Sequence, residues 1–557
     1  MKTKLLILLS LTFTFAFDAR AGSATWNLNP VDNNWNNPAN WTPNTVPNGP
    51  NDVATFGHSN VTAAFISAGV EVNAITFDPG ASAFTVTVRN RLTLTVSGTG
   101  IVNKSGIMQN FITAGVVGGG GTLIQFTGNA TAGDLVMFTN EGNSFGSGNC
   151  ETNFFDDSTA GTATFVNESF FGSNIVESGR TQFFDRSGAG EGTFINLGSD
   201  IGNDGGATIF MGESTAAAGT FIVNGVEGGT TGTMSFLNSS NAGNGNFTLD
   251  PGFLDFSDTA SAANGTFTLT GGQLYFLSAS TIGNATLIAN GPVESAIFLL
   301  VAGTEGTARI ELFDTGTLIT QRDLPGVGIG SLEGDGSVDL GRHNPLIVGS
   351  NNLSTTFSGT IFDNGLLEKV GTGTLTLSGA NTYTGTTTVS QGTLLAANLT
   401  GSATGTGPVA VNAGTLGGNG IITGTVTIGT GSGPGAVLAP AAETTKKLTL
   451  TIQRALTLKS DATYVYTFRA KSNKARTDLV IAGGVTINRA TIDLEGIIAG
   501  QVDLGLILTV IRNTSANPIS GTFSNLADGA IVNVGGTHFQ ADYEGGDGND
   551  LTLTVVP

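Results

Sequence analysis

The sequence predicts an all-β fold, a right-handed parallel β-helix (β-solenoid) with N- and C-terminal caps. Three observations carry that expectation. Short alternations rich in Thr, Val and Phe recur along most of the 557 residues, and period-two alternation marks half-buried strands. Their spacing lies in the solenoid range of roughly 20–50 residues and below the roughly 40–45 of a propeller blade. Glycine supplies 83 residues while charged residues make up 11%, against about 25% in an ordinary globular chain. The same composition excludes other classes. Hydrophobic content of 39% is too high for charge-driven disorder. The glycines have no period of three and the prolines number 15, which excludes collagen.

The elements follow in chain order. Residues 1–21 read as a signal peptide. Lys2 and Lys4 form its positive start, Leu5 to Phe17 its apolar stretch, and Ala19-Arg20-Ala21 its small-x-small cleavage pattern. No later stretch is long and apolar enough for a transmembrane helix. Residues 22–105 read as an N-terminal β cap region. They contain all three tryptophans, Trp26, Trp35 and Trp41, and a repeat array must cover its terminal apolar layer. Stacking of these rings on sugars is the competing use.

Residues 106–345 read as degenerate β-helix repeats. Phe165, Phe194, Phe221, Phe247, Phe267, Leu287 and Ile310 follow one another at steps of 29, 27, 26, 20, 20 and 23 residues. Each step suits one coil of short strands, with these side chains inward, alternating Thr outward and glycine at the corners. Residues 346–440 keep the pattern with Gly373-Thr374-Leu375, Gly392-Thr393-Leu394 and Gly414-Thr415-Leu416. Residues 441–557 read as terminal coils and a C-terminal cap. They begin with a basic cluster: Lys446, Lys447, Arg454, Lys459, Arg469, Lys471, Lys474 and Arg476. Charges on outward positions and turns explain it, and an anionic surface is the functional alternative.

The formal net charge is −20. Between residues 105 and 345, 24 acidic residues face 5 basic ones. A basic face for nucleic acid is not visible, so no nucleic-acid partner is expected. The single cysteine, Cys150, has no internal disulfide partner and no nearby His.

The stretch from Leu367 to Leu394, LEKVGTGTLTLSGANTYTGTTTVSQGTL, closely resembles the autotransporter-associated β-strand repeat, or passenger-associated transport repeat. One departure is Thr386, where the repeat usually carries a second glycine. The end, Tyr543 to Leu553, is similar to the terminus of many exported bacterial repeat proteins. The resemblance implies a bacterial, exported, β-helical passenger whose repeat assists transport or folding at the outer membrane. It carries no catalytic residues. A membrane barrel of alternating strands is not visible after the repeat, so the expectation is another secretion route, a separate outer-membrane translocator, or a periplasmic location.

Candidate chemistry is sparse. Gly545-Gly546-Asp547-Gly548-Asn549-Asp550 resembles one calcium nonapeptide, but its apolar position falls on Thr552, out of phase. A tight polar turn is the favoured reading. Asp156, Asp157, Glu168 and Glu177 are the densest carboxylates, with Arg180 and Arg186 nearby, as a lyase or glycosidase site would need. His58, His343 and His538 show no metal-ligand spacing. The expectation is therefore no catalytic, cofactor-binding or metal residue and no cofactor. The chain is expected to be an exported, non-catalytic surface or secreted β-solenoid, adhesin-like or structural, with surface glycans or other cell-surface components as partners. The alternatives are a polysaccharide-active β-helix enzyme and a secretion or folding aid in a larger assembly.

Overall fold

A computed structural model describes residues 22–115, 121–144, 148–169, 176–199, 205–226, 229–300, 306–320, 326–442, 444 and 446–557. The expected signal peptide at 1–21 lies outside the described residues. So do Arg322 and some acidic residues of the middle region.

The alternating segments form strands that pair in parallel from coil to coil. One ladder runs without a break from Ala63–Phe65 to Thr491–Val502. A second ladder includes Thr122–Phe126, Cys150–Phe154, Arg180–Phe183, Ala207–Phe210, Thr233–Phe236, Gly252–Phe256 and Gly272–Phe276. A third face is reduced to single bridges linking Gly100, Thr131, Thr159, Gly188, Thr215, Asn241, Ser261 and Thr281. The parallel β-solenoid expected from the spacing is thus the observed fold. Among the described residues the helical content is one 3-10 turn, Pro38–Asn40.

Register explains the phenylalanine periodicity. Phe138, Phe165, Phe194, Phe221, Phe247 and Phe267 are aligned neighbours across successive coils. Their rings stack nearly parallel, with centroids 4.8 Å apart for Phe165–Phe194 and 4.4 Å for Phe247–Phe267. A strand spacing of about 4.8 Å is also a stacking distance for aromatic rings, so backbone pairing and ring packing are satisfied together. A second stack, Phe126 to Phe276, meets the first edge-on, as at Phe154–Phe165 with centroids 5.7 Å apart and planes at 75°. Aliphatic residues continue the first column, with Leu287 facing Ile310 and Ile310 facing Leu332.

A polar column lies beside these rings. Asn140, Asn167 and Asn196 are fully buried or nearly so. Asn140 Nδ2 donates to Asn167 Oδ1 and Asn167 Nδ2 donates to Asn196 Oδ1, each at 2.8 Å. The hydroxyls of Thr152, Thr181 and Thr208 donate to Asn140, Asn167 and Asn196 at 2.9 Å. Burial of a primary amide is tolerable here because neighbouring coils supply both its donor and its acceptor.

Glycine holds positive φ at corners such as Gly128, Gly161, Gly190, Gly212, Gly243 and Gly283, as expected, and other residues share that task. Asp156, Asp185, Asn238 and Asp258 hold one corner with φ of 55°, 52°, 56° and 56°. Asp and Asn tolerate this region because their short side chains bond locally. Each side chain also reaches the preceding coil: Asp156 accepts from Gly128 N, Asp185 from Asp156 N and Asp258 from Asn238 N. The glycine of Gly-Thr-Phe has another cause. At Gly219 a Cβ would approach the Phe221 ring to 2.9 Å, so this glycine makes room for the ring rather than for a turn.

Coil length varies on one side only. The number of residues between the two ladders, large from Asn167 to Arg180 and from Asn196 to Ala207, falls to tight turns at Asp250-Pro251-Gly252 and Thr270-Gly271-Gly272. This shortens the step from 29 to 20 residues without disturbing the core. At the N-terminal end, Trp26, Trp35 and Trp41 are buried around Phe56, with centroids 5.9, 5.5 and 5.5 Å from its ring. Their indole N–H groups donate to Val61 O, Pro47 O and Trp35 O. Sugar stacking on these rings is thereby overturned. At the other end the pairing becomes antiparallel, where Ile507–Asn513, Asp550–Val556, Thr537–Gly545 and Ile531–Val534 join in one sheet.

Candidate functional site

The residues singled out from sequence divide by their place on the coil. Asp156 and Asp157 occupy the corner after the second ladder. Asp156 is spent on the Gly128 amide. Asp157 pairs with Arg186 of the next coil through two hydrogen bonds of 2.9 Å. Glu168 and Glu177 instead lie in the long connection that follows the Asn column, and Glu177 pairs with Asn143 in a short antiparallel ladder. These four carboxylates therefore occupy two different corners. The grouping suggested by their closeness in sequence does not form.

A carboxylate that sequence reasoning passed over is Glu141. Glu141 and Glu168 each follow an Asn of the buried column, in adjacent coils. Burial raises the Glu141 carboxyl above its ordinary value despite the Gly115 amide. Burial, and then the Glu141 charge, raise Glu168. Burial also pushes the Cys150 thiol up to about 12, reinforced by the charges of Glu141 and Glu151. A thiol held protonated in this way is a poor nucleophile, so Cys150 behaves as a core residue.

Arg180 lines a shallow open hollow of about 590 Å³ with Ser178, Ala207, Ile209, Thr231 and Thr233. Its Nε is buried without a hydrogen-bond partner. In register it stands beside Glu151 on one coil and Ala207 on the other. The hollow offers one guanidinium and several hydroxyls, the donor set that suits a hydroxylated or acidic ligand.

The histidines are dispersed. His58 Nδ1 lies 3.1 Å from Ser82 Oγ, His343 is exposed at a positive-φ position, and His538 faces Asn533 across a hairpin. Gly545 to Asp550 forms the turn of the terminal hairpin. Asp550 Oδ1 accepts from Asn513 N at 2.9 Å, and Asn549 Nδ2 donates to Ser515 O at 2.6 Å. Those bonds tie the turn to the neighbouring strand. No group of three or more His, Cys, Asp or Glu suited to a metal occurs among the described residues. No helix among them is long and apolar enough to cross a membrane.

The coil built by Leu367 to Ala396 is the most specific feature. Lys369 is 1% exposed, and its Nζ donates to the carbonyls of Val370, Gly371 and Gln391 at 2.5, 2.9 and 3.3 Å. Asn381 accepts from Ile361 N at 2.8 Å and donates to Ala403 O at 2.6 Å, bridging the coils on either side. The buried Tyr383 hydroxyl lies 2.6 Å from Thr387 Oγ1. A Cβ at Gly392, where φ is +70°, would meet Gly371 O at 2.3 Å. The residues that make the motif recognisable are thus turned inward, closing one coil and binding it to its neighbours. Thr386 is half-buried and outside the left-handed region, so a side chain fits where the repeat usually has glycine.

Comparison with known proteins agrees with that assignment. Residues 367–396 match the passenger-associated-transport-repeat family. No curated protein sequence matches the chain. Among solved structures, the crystal structure of the Haemophilus influenzae Hap adhesin aligns with a TM-score of 0.27 and 13% identity, covering 91% of this chain. The chain spans 64% of the length of that one.

Proposed function

We propose that this chain is an exported, non-catalytic β-solenoid that works at a cell surface or after release, as an adhesin-like or structural protein. The observation that carries the reading is the coil at 367–396, which matches a passenger-associated transport repeat and is continuous with the solenoid wall. Its role in this reading is to build and hold the rod during or after export. Lys369, Asn381 and Tyr383 of the repeat face inward, which leaves the outward Thr and Ser rows to meet partners. Surface glycans or other cell-surface components are the proposed partners, and a separate translocator the proposed route. The segments divide the work: residues 22–105 start the stack, 106–345 form the acidic rod, 346–440 stabilise it around the repeat, and 441–557 close it. Fractionation of producing cells, with protease added to intact cells, tests the reading. Digestion of the chain by external protease, or its recovery from the medium, is expected. Retention in a protected compartment overturns it.

A second reading, a polysaccharide-active enzyme, is favoured by the Arg180 hollow. Incubation with pectin and alginate distinguishes the two. New reducing or unsaturated ends, lost on Arg180→Ala, would establish the enzyme.

A further inference from the structure

Four of the eight basic residues of the C-terminal cluster, exposed on outward strand positions, are gathered on one hairpin. Ala462–Ser472 and Lys474–Thr477 form a hairpin in which Arg469 faces Arg476 and Lys471 faces Lys474. All four side chains are exposed. Like charges directly opposite on a strand pair are destabilising, and here two such pairs are consecutive on one face. The three ion pairs among the described residues, Arg186–Asp157, Arg309–Glu311 and Arg309–Glu333, involve none of the four. The nearby Asp478 is buried and committed to Leu448 N, Thr467 N and Thr467 Oγ1. Its charge braces the base of the hairpin. Phe468 and Ala470 are buried on the opposite face of the strand and fix its position. The cations, with Asn473 and Ala475, line an open hollow of about 510 Å³.

We infer that this hairpin binds a glycan bearing sulfate or phosphate esters. Cross-strand neighbours stand about 5 Å apart and successive same-face residues about 7 Å apart. Two rows of donors at that spacing can grip successive tetrahedral anions along an extended chain, and each bound anion relieves a like-charge pair. The composition of the hollow disfavours single-stranded nucleic acid. The hollow has no aromatic lining for stacking bases.

The inference takes from the proposed function only that the chain reaches glycans. Binding by purified protein is read independently of where cells place it. The test uses the chain from residue 22 with heparin as the sulfated probe and yeast phosphomannan as the phosphorylated one. Binding is measured between 50 and 500 mM NaCl. Arg469→Gln, Lys471→Gln, Lys474→Gln and Arg476→Gln are combined in one variant, and Arg454→Gln with Lys459→Gln is the charge control. The expected result is salt-dependent binding to at least one probe, weakened at least tenfold in the fourfold variant and retained in the control. The slope of log affinity on log salt should fall by about three. Unchanged melting of the variant confirms its fold, and heparin against phosphomannan identifies the ester. No binding to either probe at 50 mM NaCl, binding that survives the fourfold change, or tighter binding to duplex DNA or phosphatidylglycerol vesicles overturns the inference.

Discussion

At the scale of single residues, Asn167 shows why this core accepts polar groups. Its amide accepts from Thr181 and from Asn140, and donates to Asn196. Asn167→Ala removes all of these at once. It takes the acceptor from the Thr181 hydroxyl and leaves the Asn140 amide with only Thr181 Oγ1 and Asn196 Oδ1 with only Thr208, in a dry interior where an unsatisfied group costs about 1–3 kcal/mol. The expected loss is roughly 3–5 kcal/mol in urea denaturation followed through the middle coils. Thr181→Val, which deletes one hydroxyl of a shared network, should cost only about 1–2 kcal/mol. Equal costs for the two would mean that the column is not a coupled ladder. The signal for it was present in the sequence as Phe-x-Asn, in Phe138-Thr139-Asn140, Phe165-Val166-Asn167 and Phe194-Ile195-Asn196. It went unread because Asn at a strand end ordinarily announces a turn.

At the scale of the coil, spacing was legible and connection geometry was not. Phenylalanine recurrence depends on inward positions that must stack, so it survives in the sequence. The connections between the ladders differ in length, which changes the step while the Phe column keeps its register, and so blurs the period. The carboxylate grouping failed for the same reason: Asp157 and Glu168 are close in sequence but belong to different corners of one coil. In the repeat coil, recognition preceded explanation. Lys369 reads as a surface cation, yet it closes the coil from within. Lys369→Met preserves volume but strips a charged donor from three carbonyls. A loss of about 2–4 kcal/mol is expected, by the same denaturation measurement. Restoring the usual glycine at Thr386 should not stabilise the protein. The position has no positive φ, so glycine adds only unfolded-state freedom, costing about 0.5–1 kcal/mol. A gain in stability from Thr386→Gly would show that this turn is strained by its threonine.

At the scale of the whole molecule, the ladder joins residues 63 to 502 into one rod of roughly 85 Å at about 4.8 Å per coil. The full chain carries a net charge of −20. Charge accumulated along such a rod repels itself, and stability must respond to pH. Burial raises the carboxyls of Glu141 and Asp255, and burial followed by Glu141 raises Glu168. Burial, against the pull of Arg309, also raises Glu311. Between neutral pH and the ordinary value of 4.5 for Glu, the folded chain takes up protons before the unfolded chain does. Mild acidification therefore stabilises it. Asp461 behaves oppositely. Desolvation works against its charge, but the N–H groups of Thr430, Gly431 and Gly433 hold its carboxyl below the ordinary 3.8. The Asn34 backbone and the Asn40 and Asn37 amides do the same for Asp32. Their stabilisation is present above the ordinary value and is lost as pH falls through the lowered one. Melting temperature should thus rise from pH 7.5 to about 5 and fall again below about 4. The combined substitution Glu141→Gln with Asp255→Asn should flatten the rise, while Asp461→Asn should lower stability at pH 5 and blunt the fall. Scanning calorimetry across that range decides the matter: a melting temperature that drops steadily from pH 7.5 would mean that the half-buried carboxylates of the middle coils do not govern the stability of the rod.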